Sequence, residues 1–69
     1  MNAEQWVRST FRIVDDCIDW GDGVYTPIST FLSFFSDIIN KALVDGQNPK
    51  QVIIKSDPNN EKGFNRYLS

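Results

Sequence analysis

A mainly α-helical fold is predicted for this 69-residue chain by three features. Two long segments carry apolar residues at helical spacing, each segment is bracketed by helix start and stop signals, and a glycine-rich reversal, Gly21-Asp22-Gly23, separates them. The expected architecture is an antiparallel two-helix hairpin followed by a short C-terminal segment, with two copies joined as a dimeric helical bundle.

The first helix is expected over about residues 3–20. Asn2 can cap it, and Gln5, three residues on, is the reciprocal member of a capping box. At about 100° per residue, Trp6, Val7, Phe11, Ile13, Val14, Cys17, Ile18 and Trp20 fall on one half of the circumference. Glu4, Arg8, Arg12, Asp15, Asp16 and Asp19 fall on the other. Gly21 is the stop, and the loop through Val24 and Tyr25 reverses the chain.

The second helix is expected over about 27–45. Thr26-Pro27 supplies a capping hydroxyl and a proline at the first helical position, and Asp45-Gly46 ends it. Ile28, Phe31, Leu32, Phe34, Phe35, Ile38, Ile39, Ala42 and Leu43 again sweep half the circumference. The tail, residues 47–69, is less regular. Gln51–Lys55 is a β-branched run that reads as a strand, although Asn48-Pro49-Lys50-Gln51 also resembles a helix start. Asp57-Pro58 can open a last short helix with Phe64, Tyr67 and Leu68 on one face.

Composition removes several classes of function. With no histidine there is no Ser-His-Asp or Cys-His nucleophile pair and no His-containing zinc site, so no enzyme, metal or cofactor is expected. A calcium loop fails as well: Cys17 is no oxygen ligand, and Trp20 stands where a glycine is required. The single cysteine, Cys17, suits a reducing compartment, and the polar Met1–Gln5 start is no signal peptide, so a cytoplasmic location is expected. The apolar stretch 28–44 is interrupted by polar residues too often to cross a membrane.

Charge is unevenly placed. In residues 1–45 three cations face seven anions, for a net −4, whereas residues 46–69 carry +2. An acidic body repels phosphates, so nucleic acid is disfavoured as a partner. Lys62, Phe64, Arg66 and Tyr67 combine cations with aromatics, but such a short set reads more simply as a solvated face beside a packed stripe.

The two apolar arcs are wider than one hairpin can cover, since each helix touches its partner along a stripe of about 100°. The tail can cover part of that surplus with Val52, Ile53, Ile54, Phe64 and Tyr67, and a second copy in a homodimer, or another protein partner, is expected to cover the rest. A compact 7.9 kDa monomer should expose about 4,400 Å², and at this size it is marginally stable. The partner-binding set is expected at the hairpin tip, where Trp20 and Tyr25 stand beside Asp19 and Asp22, with Phe34 on the apolar flank of the second helix. Trp20 also fits a residue closing the end of the core.

The capped first helix at Ala3–Trp20, the Gly21-Asp22-Gly23 loop and the second helix at Pro27–Asp45 resemble, in size and style, the small early proteins by which bacteriophages disable host regulators. The quorum-sensing anti-activators of Pseudomonas phages belong to this group. The resemblance covers residues 1–45 and implies a host transcription regulator or a pilus-assembly ATPase as partner; it carries over no functional residue. The expected function is therefore a non-enzymatic inhibitor acting by direct protein binding. The alternative is a small DNA-associated transcriptional regulator using the basic tail, and salt dependence of binding separates the two.

Overall fold

The computed structural model describes residues 1–69 as a small three-stranded antiparallel sheet and three shorter helices gathered about the long helix at residues 28–44, an α+β fold in place of the expected mainly α two-helix hairpin. Helix α1 (Ala3–Thr10) opens with the expected capping box. The Asn2 side chain accepts the Gln5 amide at 2.9 Å, and the Gln5 side chain accepts the Asn2 amide at 2.9 Å. The helix then ends at Thr10, which corrects the expectation that it continues to residue 20.

The reason lies in residues 9–19, where Arg12 alone is a good helix former among Ser, Thr, Phe, Ile, Val, Cys and three Asp. Strands β1 (Ile13–Val14) and β2 (Cys17–Asp19) pair instead, with Ile13 opposite Ile18 and Val14 opposite Cys17. Asp15 and Asp16 form the two-residue turn at φ 50° and 59°. Positive φ at both central positions is what such a hairpin demands, and aspartate tolerates it better than most residues. Apolar pair, two aspartates, apolar pair is a helical arc and a tight hairpin at once; local propensity decides for the hairpin.

Strand β3 (Tyr25–Pro27) pairs with the other edge of β2, so the order is β1-β2-β3. The turn between β2 and β3 is closed by the Trp20 amide donating to the Val24 carbonyl at 3.2 Å. Gly21 and Gly23 hold φ of 90° and 84° there, which side-chain-bearing residues adopt only under strain.

Helix α2 (Ile28–Val44) runs as the periodicity predicts, to within a residue at either end. It ends in a Schellman motif: the Gln47 amide donates to the Ala42 carbonyl at 2.8 Å and the Gly46 amide to Leu43 at 3.4 Å. Its buried stripe is Ile28, Phe31, Phe35, Ile39 and Ala42, narrower than the half-circumference of the sequence reading, and Phe34 lies outside it.

Helix α3 (Pro49–Ser56) corrects the expected strand at Gln51–Lys55. Asn48 caps it by accepting the Lys50 amide at 3.1 Å, and Pro49 occupies the first turn, where its missing N–H costs nothing. Packing against α2 buries Ile53 completely, and that tertiary contact outweighs the β preference of Val52-Ile53-Ile54. Helix α4 (Asn65–Leu68) is one turn long, and with it Phe64 and Leu68 enter the core.

These additions remove the premise of the dimeric bundle. The sheet, α3 and α4 cover the flanks that a bare hairpin would leave open, and Val7, Ile18, Phe31, Ile39 and Ile53 are wholly enclosed within one chain. The accessible surface of 4360 Å² is that of a compact single chain of this mass.

Candidate protein-binding surface

The β2–β3 tip is built largely for internal use. Asp19 opposes Tyr25 across the sheet, accepts the Gly21 amide at 2.9 Å through Oδ1, and pairs with the Arg12 guanidinium at 3.3 Å through Oδ2. Trp20 donates its indole N–H to Thr26 Oγ1 at 2.9 Å. Its ring stacks on Tyr67 at 4.6 Å between centroids and meets Phe11 at 5.2 Å and Phe64 at 5.7 Å. Trp20 is therefore a wall of the aromatic core, the second of the two readings its sequence position allows.

Asp22 is also engaged. Its Oδ1 accepts the Val24 amide at 3.2 Å, a short-range bond that shapes the turn. Its Oδ2 accepts the Tyr67 hydroxyl at 2.9 Å and lies 3.8 Å from Arg66. The Tyr67 hydroxyl in turn accepts from Arg66, whose guanidinium also sits 4.7 Å above the Tyr67 ring. Phe64, Arg66 and Tyr67 thus tie the last segment across the hairpin tip. Their alternation of cation and aromatic was visible in the sequence; their partner Asp22, 45 residues away, was not.

Of the sequence-predicted set, Asp22, Tyr25 and Phe34 are exposed; Asp22 is bonded to the last segment, and Tyr25 and Phe34 are 54% and 43% exposed. Phe34 stands beside Phe35 and Phe64, at 5.9 and 6.4 Å between centroids, and the Lys62 ammonium lies 4.5 Å above its ring. Lys62, like Lys50 and Lys55, has no carboxylate partner, in contrast to Arg8, Arg12, Lys41 and Arg66. Residues 62–67 therefore bridge from Asp22 to Phe34, so the tip and the α2 flank belong to one continuous face.

No protein family model, curated protein or solved structure matches this chain.

An open groove of about 390 Å³ lies on another side, with Cys17, Ile28 and Leu32 in its floor and Glu4, Arg8 and Asp16 at its rim. Arg8 bridges Glu4 and Asp16 at 3.1 Å each. Those hydrogen bonds, Glu4's first and Asp16's second, hold its guanidinium above its ordinary pKa, so its charge is fixed at every working pH. No three His, Cys, Asp or Glu side chains converge anywhere in the structure as metal ligands.

Proposed function

We propose that this chain is a non-catalytic protein-binding modulator that engages its partner through the face containing Phe34. The observation that carries the reading is Phe34 itself, an aromatic ring 43% exposed on α2 beneath the Lys62 ammonium; Met1, Val24, Tyr25 and Val44 are the other large apolar side chains left exposed. The covered part of the ring packs on Phe35 and Phe64, and the open part is available to a partner's pocket, where aromatic anchors dominate binding energetics. Lys62 above the ring supplies an uncompensated cation, so the matching partner presents an apolar pocket with acid at its rim. Tyr25 pairs with Asp19 and so points to the other side of the sheet from Ile18 and Thr26, apart from this face.

The nucleic-acid alternative draws no support from the geometry. One face of Tyr67 is taken by Trp20, its hydroxyl is bonded to Asp22, and the Arg66 charge is met by Asp22. A base would find no free ring there to stack on. The unpaired thiol of Cys17 suits a reducing compartment, and the reading places the protein in the cytoplasm. No helix is long and apolar enough to cross a membrane. The partner classes implied by the resemblance, host transcription regulators and pilus-assembly ATPases, are the first proteins to test, with inhibition by direct binding as the expected effect.

The test compares the tagged protein with Phe34→Ala and Lys62→Glu in capture of its partner, followed by titration with that partner. Phe34→Ala should still fold, with a melting temperature lowered by the loss of the ring's covered part, about 1–2 kcal/mol, and should weaken binding about thirtyfold, an anchor's worth of about 2 kcal/mol. Undiminished affinity in a folded Phe34→Ala protein would remove the proposal.

A further inference from the structure

Residues 57–69 are attached to the rest of the chain in an unusual way. All backbone hydrogen bonds of residues 58–69 stay within the segment itself. Its docking relies on side chains: Phe64 and Leu68 enter the core, Tyr67 stacks on Trp20, and Tyr67 and Arg66 reach Asp22. Such a segment behaves as a short helical peptide, with anchors at i, i+3 and i+4, lying in a groove walled by Trp20, Phe31 and Phe35. Departure breaks no backbone ladder.

We propose that this groove is an intermolecular docking site, and that its occupant in trans is the 57–69 segment of a second copy, exchanged reciprocally to form a dimer. The second copy is the partner whose fit is already displayed. Phe64, Tyr67 and Leu68 fill the groove, and Asp22 complements Arg66 in charge while accepting the Tyr67 hydroxyl. Exchange reproduces all of those contacts between chains and needs no uncovered apolar flank, so it stands on different ground from the dimer expected of a bare hairpin.

The connector is long enough. The seven residues Asp57–Gly63, drawn out, span about 24 Å, comparable with the 18–32 Å dimensions of the whole molecule. Their closed form is held by the Asp57 carboxylate, which accepts the Glu61 and Lys62 amides at 2.8 Å each. Asp57 therefore acts as the latch that favours the closed monomer at low concentration.

The test uses the full chain with the conservative change Arg66→Lys, prepared both unlabelled and ¹⁵N-labelled. The two preparations are mixed, unfolded and refolded together at millimolar concentration, then treated with a zero-length carbodiimide that joins a carboxylate to a touching amine. Peptides linking Asp22 to the introduced lysine are read by mass spectrometry. Exchange yields links between an unlabelled and a labelled chain, and adding Asp57→Ala should raise that hybrid fraction severalfold. Links confined to chains of a single isotope, with and without Asp57→Ala, would overturn the proposal by showing that the segment docks only on its own chain. If Arg66→Lys/Asp57→Ala fails to refold, the Arg66→Lys protein alone decides, by the same hybrid links or their absence.

Discussion

Replacing Asp57 with alanine should remove the organising centre of the connector between α3 and α4. Asp57 is 8% exposed, and its carboxylate accepts two backbone amides, Glu61 and Lys62, at 2.8 Å. Its own carbonyl accepts the Asn65 side-chain amide at 2.9 Å and the Asn60 amide at 3.0 Å, so the loop closes on this one residue. A hydrogen bond to a charged acceptor contributes about 1.5–3 kcal/mol, and water recovers part of that for amides near the surface. The expected loss is about 2–3 kcal/mol, out of a total on the order of 3–10 kcal/mol for a domain of this length. With a urea slope of about 1 kcal/mol/M, the unfolding midpoint should fall by about 2–3 M. Asp57→Asn keeps one acceptor oxygen and should lose about half as much. The assay is urea unfolding followed by tryptophan fluorescence, which reads Trp6 in the core and Trp20 against Tyr67, and by circular dichroism. An Asp57→Ala midpoint within about 0.5 M of wild type would refute the argument that the carboxylate holds the loop.

The remaining perturbations probe the hairpin and the core. Asp15→Gly should stabilise the protein by about 0.5–1 kcal/mol, because Asp15 sits at φ 50° without a side-chain hydrogen bond or ion pair. A helix through residue 20 would instead lose stability with the same change, so the sign of the shift in a melting experiment decides between the two. Phe31 is fully enclosed and touches Phe11, Phe35 and Phe64, so Phe31→Ala should cost about 3–5 kcal/mol and leave little or no folded protein. A cooperative melt near the wild-type temperature would contradict that placement.

How much of this was legible in the residues depended on whether local and tertiary preferences agree. Over 28–44 they do: proline at the start, Gly46 at the stop and an apolar stripe between leave one solution, and α2 follows it. Over 11–20 the apolar positions fit both a helix and a tight hairpin. The deciding signal, a run of β-branched and aspartate residues almost without helix formers, was present but subordinate to periodicity. Over 49–56 the conflict reverses. The β-branched run points to a strand, while Asn48-Pro49 and burial of Ile53 against α2 produce a helix. The candidate site shows the same limit. Exposure of Tyr25 at a turn is readable from the chain, but engagement of Asp22 by Tyr67 and Arg66 depends on a fold that brings residues 45 positions apart together. Phe34 is harder still, since only the actual width of the buried stripe places it outside.

The Phe34 face and the docked segment are not independent. Lys62, which covers Phe34, belongs to the connector that Asp57 organises, and Phe64, which touches Phe34, is one of the anchors in the Trp20 groove. A partner that grips Phe34 together with Lys62 binds only chains in which the segment is in place. Binding and docking must then be linked reciprocally: whatever loosens the segment weakens the partner, and the bound partner holds the segment down by the same free energy. Asp57→Ala, which touches no part of the Phe34 ring, should therefore lower affinity through the fraction of chains left docked. The same factor should multiply the affinity of Phe34→Ala, because Lys62 is still gripped only in docked chains, so the two substitutions should add in partner affinity. Unchanged affinity in an Asp57→Ala protein whose segment has loosened would mean that Phe34 is gripped without Lys62, and the acidic rim assigned to the partner would lose its reason.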